Sequence, residues 1–203
     1  MSKEVKTKEK IDMDPKYLLE LTLKLLVVCL VVAVLLGFVN SITADKIIAF
    51  NEQKTATAMS AVVEDPASTF EPVEVTQEFI DAGLTFESGV KAVSKVMSGS
   101  NQAGYVCEVV PSGFGGDIDM VVGLDMDGAI TGVSIIKNVE TAGVGSKVML
   151  NTNGVLDQFV GKSAADGELV VKSNVDAISG ATVSSKAVTR GVNAALSVTS
   201  LLG

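Results

Sequence analysis

Residues 18–38 read Leu-Leu-Glu-Leu-Thr-Leu-Lys-Leu-Leu-Val-Val-Cys-Leu-Val-Val-Ala-Val-Leu-Leu-Gly-Phe, and from Leu25 to Val39 no charged side chain interrupts the run. At ~1.5 Å per residue a helix over 18–38 reaches roughly 31 Å, about the thickness of a bilayer's hydrocarbon. It is apolar on every side, so it cannot be the surface helix of a water-soluble domain. Glu20 and Lys24 sit near the entry, where a long Lys side chain can reach the interface. No Ala-x-Ala-like cleavage site follows, and helix-like sequence continues through Ile47 and Ile48. A lipoprotein signal is also excluded, because Cys29 is followed by ten apolar or Gly residues. The run therefore reads as an uncleaved single span over residues 17–39, in contact with membrane lipid. Residues 1–16, rich in Lys and Glu, form a short solvated tail. Six Lys lie within residues 1–24, while only Lys46 and Lys54 follow the span closely. That asymmetry places the N-terminus in the cytoplasm and the remainder of the chain outside.

Residues 40–88 form a juxtamembrane segment. Its first part, 40–62, favours a helix leaving the membrane, and Asp65-Pro66 stops it. Residues 66–88 carry Pro66, Pro72 and scattered acids without a clear period.

Residues 89–203 read as a domain. Val90–Val96 and Tyr105–Val109 alternate polar and apolar, with a hairpin turn at Ser98-Gly99-Ser100-Asn101. Ile118–Leu124 and Ile130–Ile136 follow, joined through an Asp-Gly turn at Asp127-Gly128. Asp125-x-Asp127 lacks the twelve-residue ligand pattern of a calcium loop and is read as a plain turn. Helices are expected near 146–160 and 183–202. The second has Val188, Val192, Ala195, Val198 and Leu202 on one stripe. The fold class is α+β: an antiparallel sheet with helices, behind one membrane helix.

Composition limits the chemistry. The chain has no His, which removes Ser-His-Asp and Cys-His nucleophiles, His-ligated zinc and histidyl-linked flavin. Its two Cys, Cys29 in the span and Cys107 in a strand, cannot build an iron–sulfur or Cys₄ zinc site. Any redox chemistry must come from a bound organic cofactor. The net charge is −8; residues 1–24 hold six Lys against five acids, so the rest carries ten basic and 19 acidic residues. Such a domain is a poor nucleic-acid ligand, because phosphate contacts need Lys and Arg.

One stretch of small residues carries the functional signal. In Asp176-Ala-Ile-Ser179-Gly180-Ala181-Thr182-Val-Ser184, a tight turn delivers a threonine hydroxyl to the start of a helix. A helix start offers unpaired N–H groups and a positive dipole end, which favour a phosphate. The same letters also suit an ordinary helix cap. On the residues alone both readings stand.

The pattern Asp176-x-x-Ser179-Gly180-Ala181-Thr182-x-Ser184 resembles the flavinylation motif of FMN-binding domains. These occur in the G subunit of the Rnf electron-transport complex and in the C subunit of the sodium-translocating NADH:quinone reductase. The resemblance implies that Thr182 carries FMN through a phosphoester bond. A flavin transferase that uses FAD would attach it, with Asp176 in the transferase's recognition sequence. Ser112-Gly113-Phe114-Gly115-Gly116 resembles the family's glycine-rich turn. Glu140-Thr141-Ala142-Gly143-Val144-Gly145 is similar to its Glu-Thr-Pro-Gly-Leu-Gly segment, which lies beside the flavin. This chain departs from that pattern at Ala142 and Val144, and Asn138 stands where His is common. The resemblance thus implies Ser179, Gly180, Ala181, Glu140, Thr141, Gly143, Gly145, Gly115 and Gly116 as cofactor neighbours. It implies an electron-carrying component of an Rnf-type complex, which couples ferredoxin and NAD⁺ oxidoreduction to Na⁺ or H⁺ translocation. Such a component works with the other membrane subunits of the complex and holds no NAD or ferredoxin site of its own. The alternatives are the C subunit of the quinone reductase, which is usually longer, and a membrane-anchored binding domain without cofactor.

Overall fold

The structure is a computed structural model that describes residues 15–65, 67–73 and 89–202. Most of the expected N-terminal tail lies outside the described residues. The chain divides into two compact units, residues 1–51 and 52–203.

Within the first unit runs most of helix α1, Pro15–Ala61. Pro15 suits a first helical position, where its missing N–H costs nothing. The large apolar side chains from Tyr17 to Phe50 are exposed, and the helix is long and apolar enough to cross a membrane. Its hydroxyls bond back to their own helix: Thr22 to the Leu18 carbonyl at 2.8 Å and Thr43 to that of Val39 at 2.9 Å. Lys24 pairs with Glu20 one turn earlier at 2.6 Å. These polar groups near or within the run thus have internal partners, as hydrocarbon requires. The span and the expected juxtamembrane helix are one continuous element, which ends before the Asp65-Pro66 signal.

The second unit is built on a five-stranded antiparallel meander in the order β1-β2-β3-β4-β5: β1 Thr69–Pro72, β2 Val90–Ser98, β3 Asn101–Val109, β4 Asp119–Asp125 and β5 Ile130–Lys137. The β2–β3 hairpin closes where the sequence places it, with Gly99 at φ 63° and Ser98 opposite Asn101. Alternation gives the sheet two faces. One buries Val93, Cys107, Val109, Met120 and Val122 in the main core with helix α3, Thr182–Leu202, through Val188, Val192, Ala195 and Val198. The other buries Val96, Val106 and Val121 under Ala58 and Val62. The Gly123–Gly132 cross-strand pair makes room there: a Cβ on Gly123 would collide with the Val62 carbonyl oxygen. Thr131 donates to that oxygen at 2.5 Å.

Two expectations are revised. The packed unit takes in β1 and the residues around Ala58, so it begins well before residue 89. Pro72 fits the edge strand, which has one neighbour and no need of every ladder donor. The helix expected near 146–160 breaks into α2, Ser146–Met149, and short 3₁₀ turns. Asn151 and Asn153 stand at φ 51° and 59°, in the left-handed region that Asn tolerates. Asn151 accepts from the Leu156 N–H at 2.6 Å and donates to Asp157 at 2.7 Å. These side-chain bonds compete with the helical ladder. Val155, Leu156 and Phe159 still reach the core. Cys107 lies fully buried in β3, and burial pushes its thiol up to about 12, so it is an inert core residue.

Candidate functional site

The motif forms a β-turn feeding α3. The Ala181 N–H donates to the Ile178 carbonyl at 2.9 Å, which closes the turn over Ser179 and Gly180. Gly180 has φ 81° at the third turn position, where a positive φ calls for Gly. A Cβ there would meet nothing within 4 Å, so the backbone angle and not crowding demands glycine. The Ile178 N–H also donates to the buried Ser185 hydroxyl at 3.3 Å, fastening the turn to the helix.

The Ala181 carbonyl accepts the first helical bond, from the Ser185 N–H at 2.9 Å. Ala181 thus occupies the cap position, and Thr182 is the first helical residue, one residue ahead of the expected start. Thr182 is half-buried, and no hydrogen bond of its hydroxyl is found among the described residues. A capping threonine would accept from an N–H two or three residues on. Ser179 and Gly180 are exposed, and Ala181 is buried.

Glu140 organises the second cluster. One carboxylate oxygen accepts from the Phe114 N–H at 2.7 Å and the Gly115 N–H at 3.2 Å. The other accepts from the Ser184 hydroxyl at 2.7 Å. Gly145 packs so close that a Cβ would collide with that oxygen, and one on Gly116 would stand 2.5 Å from a Val139 methyl. Arg190 of α3 donates to the Ser112 carbonyl at 2.6 Å, a second tie between helix and glycine turn. Thr141 closes the neighbouring turn, its carbonyl accepting from the Ser146 N–H at 3.2 Å, while the Gly143 N–H donates to the Ser146 hydroxyl at 2.8 Å.

The structure therefore brings Gly115, Gly116, Glu140, Gly145 and the first turns of α3 together. It does not put Glu140 on the side of α3 that bears Thr182. Ser184, the contact made, is two residues on, and residues two apart point away from each other on a helix. The Glu140 carboxylate is occupied by protein donors.

Asp176 lies in the segment before the turn. The Gln158 side chain accepts from its N–H at 2.7 Å and donates to its carbonyl at 3.1 Å. This fixes the backbone and leaves the exposed Asp176 facing solvent. Asp176 to Ser179 form one wall of a cleft of about 500 Å³, with Lys147 and Gln158 among the other lining residues. Clefts of this size hold small organic ligands. An unbonded hydroxyl at the start of a 21-residue helix, three residues after the cleft-lining Ser179, fits a phosphate-linked cofactor.

Sequence reasoning does not single out the roles of Ser184, Arg190, Gln158 and Lys147. Ser184 stands inside the motif and Lys147 two residues beyond Gly145, so adjacency is a usable signal for both. Gln158 and Arg190 carry none.

The profile of the FMN-binding domain family matches residues 113–197. The G subunit of the Na⁺-translocating ferredoxin:NAD⁺ oxidoreductase complex of Acetobacterium woodii is 36% identical over 205 residues, spanning 96% of this chain and 97% of its own. The G subunit of the ion-translocating oxidoreductase complex of Methanosarcina acetivorans is 32% identical over 185 residues, 90% of this chain and 95% of its own. Among solved structures, the crystal structure of Shewanella oneidensis NqrC is 27% identical, with a TM-score of 0.41 over 50% of this chain and 52% of that one.

Proposed function

The chain belongs to the family of G subunits of ion-translocating oxidoreductase complexes, and from that premise we propose that it is the complex's flavin carrier, with FMN held covalently on Thr182. The reading is of a membrane electron-transfer component in a ferredoxin:NAD⁺ oxidoreductase coupled to Na⁺ or H⁺ translocation. The observation that carries the attachment site is the Thr182 hydroxyl. It sits at a helix start with no partner among the described residues, while Ala181 takes the cap position that a structural threonine would fill.

The attachment balances simply. The Thr182 oxygen bonds to the phosphorus of the FMN half of FAD, AMP leaves, and the hydroxyl proton is released. FMN when bound supplies the redox chemistry. The chain's own residues hold it: Gly180 and Ala181 set the turn, and Ser185 and Ile178 lock that turn to α3. Glu140 with Ser184 fixes the opposite rim of the same helix. A covalent tether keeps the carrier from diluting into the outside medium. Asp176, exposed on a backbone held by Gln158, is presented to a flavin transferase. The excess of Lys before the span supports an N-terminus in the cytoplasm and a flavin domain outside.

The test is intact mass after expression with the flavin transferase. Wild type should gain FMN less water. Thr182→Val should gain nothing, yet melt within about 0.5 kcal/mol of wild type, because its hydroxyl bonds nothing in the fold. A Thr182→Val protein carrying covalent flavin at the wild-type level would sink the assignment.

A further inference from the structure

Two segments border the cleft beside the attachment turn. Asp176–Ser179 ends three residues before Thr182, and the rest of the lining falls between Lys147 and Gln158, starting two residues after Gly145. Among the described residues of the lining, Lys147 is the single base and Asp176 the single acid. Lys147 is exposed, and it forms no ion pair among the described residues. An unpaired ammonium thus stands at a cleft sized for an organic ring, and the lining reaches Ser179, three residues before the hydroxyl that would tether that ring.

We propose that the flavin ring sits in this cleft and that Lys147 raises its reduction potential. This rests on FMN being carried by Thr182. One electron, supplied by the complex's other redox groups, enters the ring; no bond forms or breaks, and the ring gains one negative charge shared over N1 and C2=O. The oxidised ring is neutral there. A nearby ammonium stabilises the charged form more than the neutral one, and protein walls that displace water strengthen the effect. Asp176, also in the lining, opposes it, so the balance of these two charges shifts the potential. The remaining lining residues carry no charge.

The full-length protein, loaded by the transferase and purified in detergent, is titrated with a chemical reductant while its flavin absorbance is followed. Lys147→Met should lower the equilibrium constant for one-electron reduction roughly tenfold, ~59 mV. Lys147→Arg should stay within about twofold of wild type, because it keeps the charge. High salt should narrow the gap between wild type and Lys147→Met, since the ammonium is exposed; a purely structural role would give neither the charge order nor the salt effect. Thr152→Lys, which adds a cation to the same lining, should raise the potential and decides the matter if Lys147→Met loads poorly. Fully loaded Lys147→Met at the wild-type potential, or Thr152→Lys without effect, overturns the proposal. Wild type that gains no FMN mass is a different failure, that of the attachment site.

Discussion

The two long helices use the same residue types in opposite ways. In α1 the Leu and Val side chains from Leu18 to Val39 are exposed on all sides. In α3 Val188, Val192, Ala195 and Val198 form one buried stripe, while Val183, Lys186 and Arg190 face outward. The difference lies in the solvent each expects. A helix apolar all round has no face to offer water and needs lipid; a helix with one apolar face needs a sheet. That contrast also fixes where chemistry can reside. α1 has no side left over, whereas α3 has a polar rim and a free first turn, where Thr182 sits.

The largest test of the contrast is truncation. Removing residues 1–51 should leave a folded domain that needs no detergent, since the second unit starts at residue 52. Extending the deletion through residue 73 strips β1, Ala58 and Val62 from Val96, Val106 and Val121. Exposing three buried Val side chains costs about 5–9 kcal/mol, comparable with the whole stability of a domain. Far-ultraviolet circular dichroism and denaturant melts of both pieces check this. A shorter piece as stable as the longer one would show that α1's last turns are not part of the domain.

The same substitution in each helix comes next. Val192→Asp puts an unpaired carboxylate into the main core and should cost at least ~3 kcal/mol of domain stability. Val28→Asp, near the middle of the apolar run, should leave the domain's melting unchanged. Its penalty, about 2.5–3.5 kcal/mol, falls on membrane insertion instead. Equal melting losses for the two variants would erase the distinction.

A smaller effect belongs to the polar rim. Glu140→Ala leaves two backbone N–H groups and the Ser184 hydroxyl without their acceptor, and should cost about 1–3 kcal/mol. Glu140→Gln keeps an oxygen for the two N–H groups and turns its amide toward Ser184, whose hydroxyl can accept. It should stay close to wild type in thermal melts. If Gln is as damaging as Ala, charge rather than hydrogen bonding holds the rim.

How far each element could be read in advance follows from how local its signal is. The apolar run, β2 to β5 and α3 rest on periodicity within a few residues; the run lies inside one longer helix, β3 begins four residues early and α3 one. β1 was not legible, because four residues containing a Pro become a strand only by pairing with β2, more than twenty residues later. The break in the 146–160 helix was hidden for a different reason. Its Val, Leu and Phe residues do face the core, as a helix would place them, but Asn151 and Asn153 turn the backbone left-handed. At the site, the Ser-Gly-Ala-Thr turn was legible as a unit. Its meeting with Glu140 through Ser184, 44 residues apart, and the Gln158 grip on Asp176 are tertiary facts that no local pattern encodes.

The smallest expected effect compares charges. An ion pair from each unit can be compared: Lys24–Glu20 on α1, and Lys91–Glu108 across β2 and β3. The first is open on both sides, with side chains 71% and 65% exposed; the second is tighter, at 45% and 14%. The Lys91 pKa is raised, first by the hydrogen bond to Glu108 and against some burial, with Coulomb attraction from Glu108 and Asp119 adding to it. A raised folded-state pKa means that the stabilisation is fully present below the ordinary value of 10.5 and is lost as pH climbs through the higher folded value. Solvent screening of a pair this exposed holds the effect to about 0.5 kcal/mol. Lys91→Ala should therefore lower domain stability by about that much at neutral pH, and the gap to wild type should close above pH 10.5, as measured by urea melts at both values. Lys24→Ala should leave those melts unmoved at either pH, since its pair lies outside the domain. A gap for Lys91→Ala that widens in alkali would reverse the sign argued here and mean that Lys91 is held by something other than its charge.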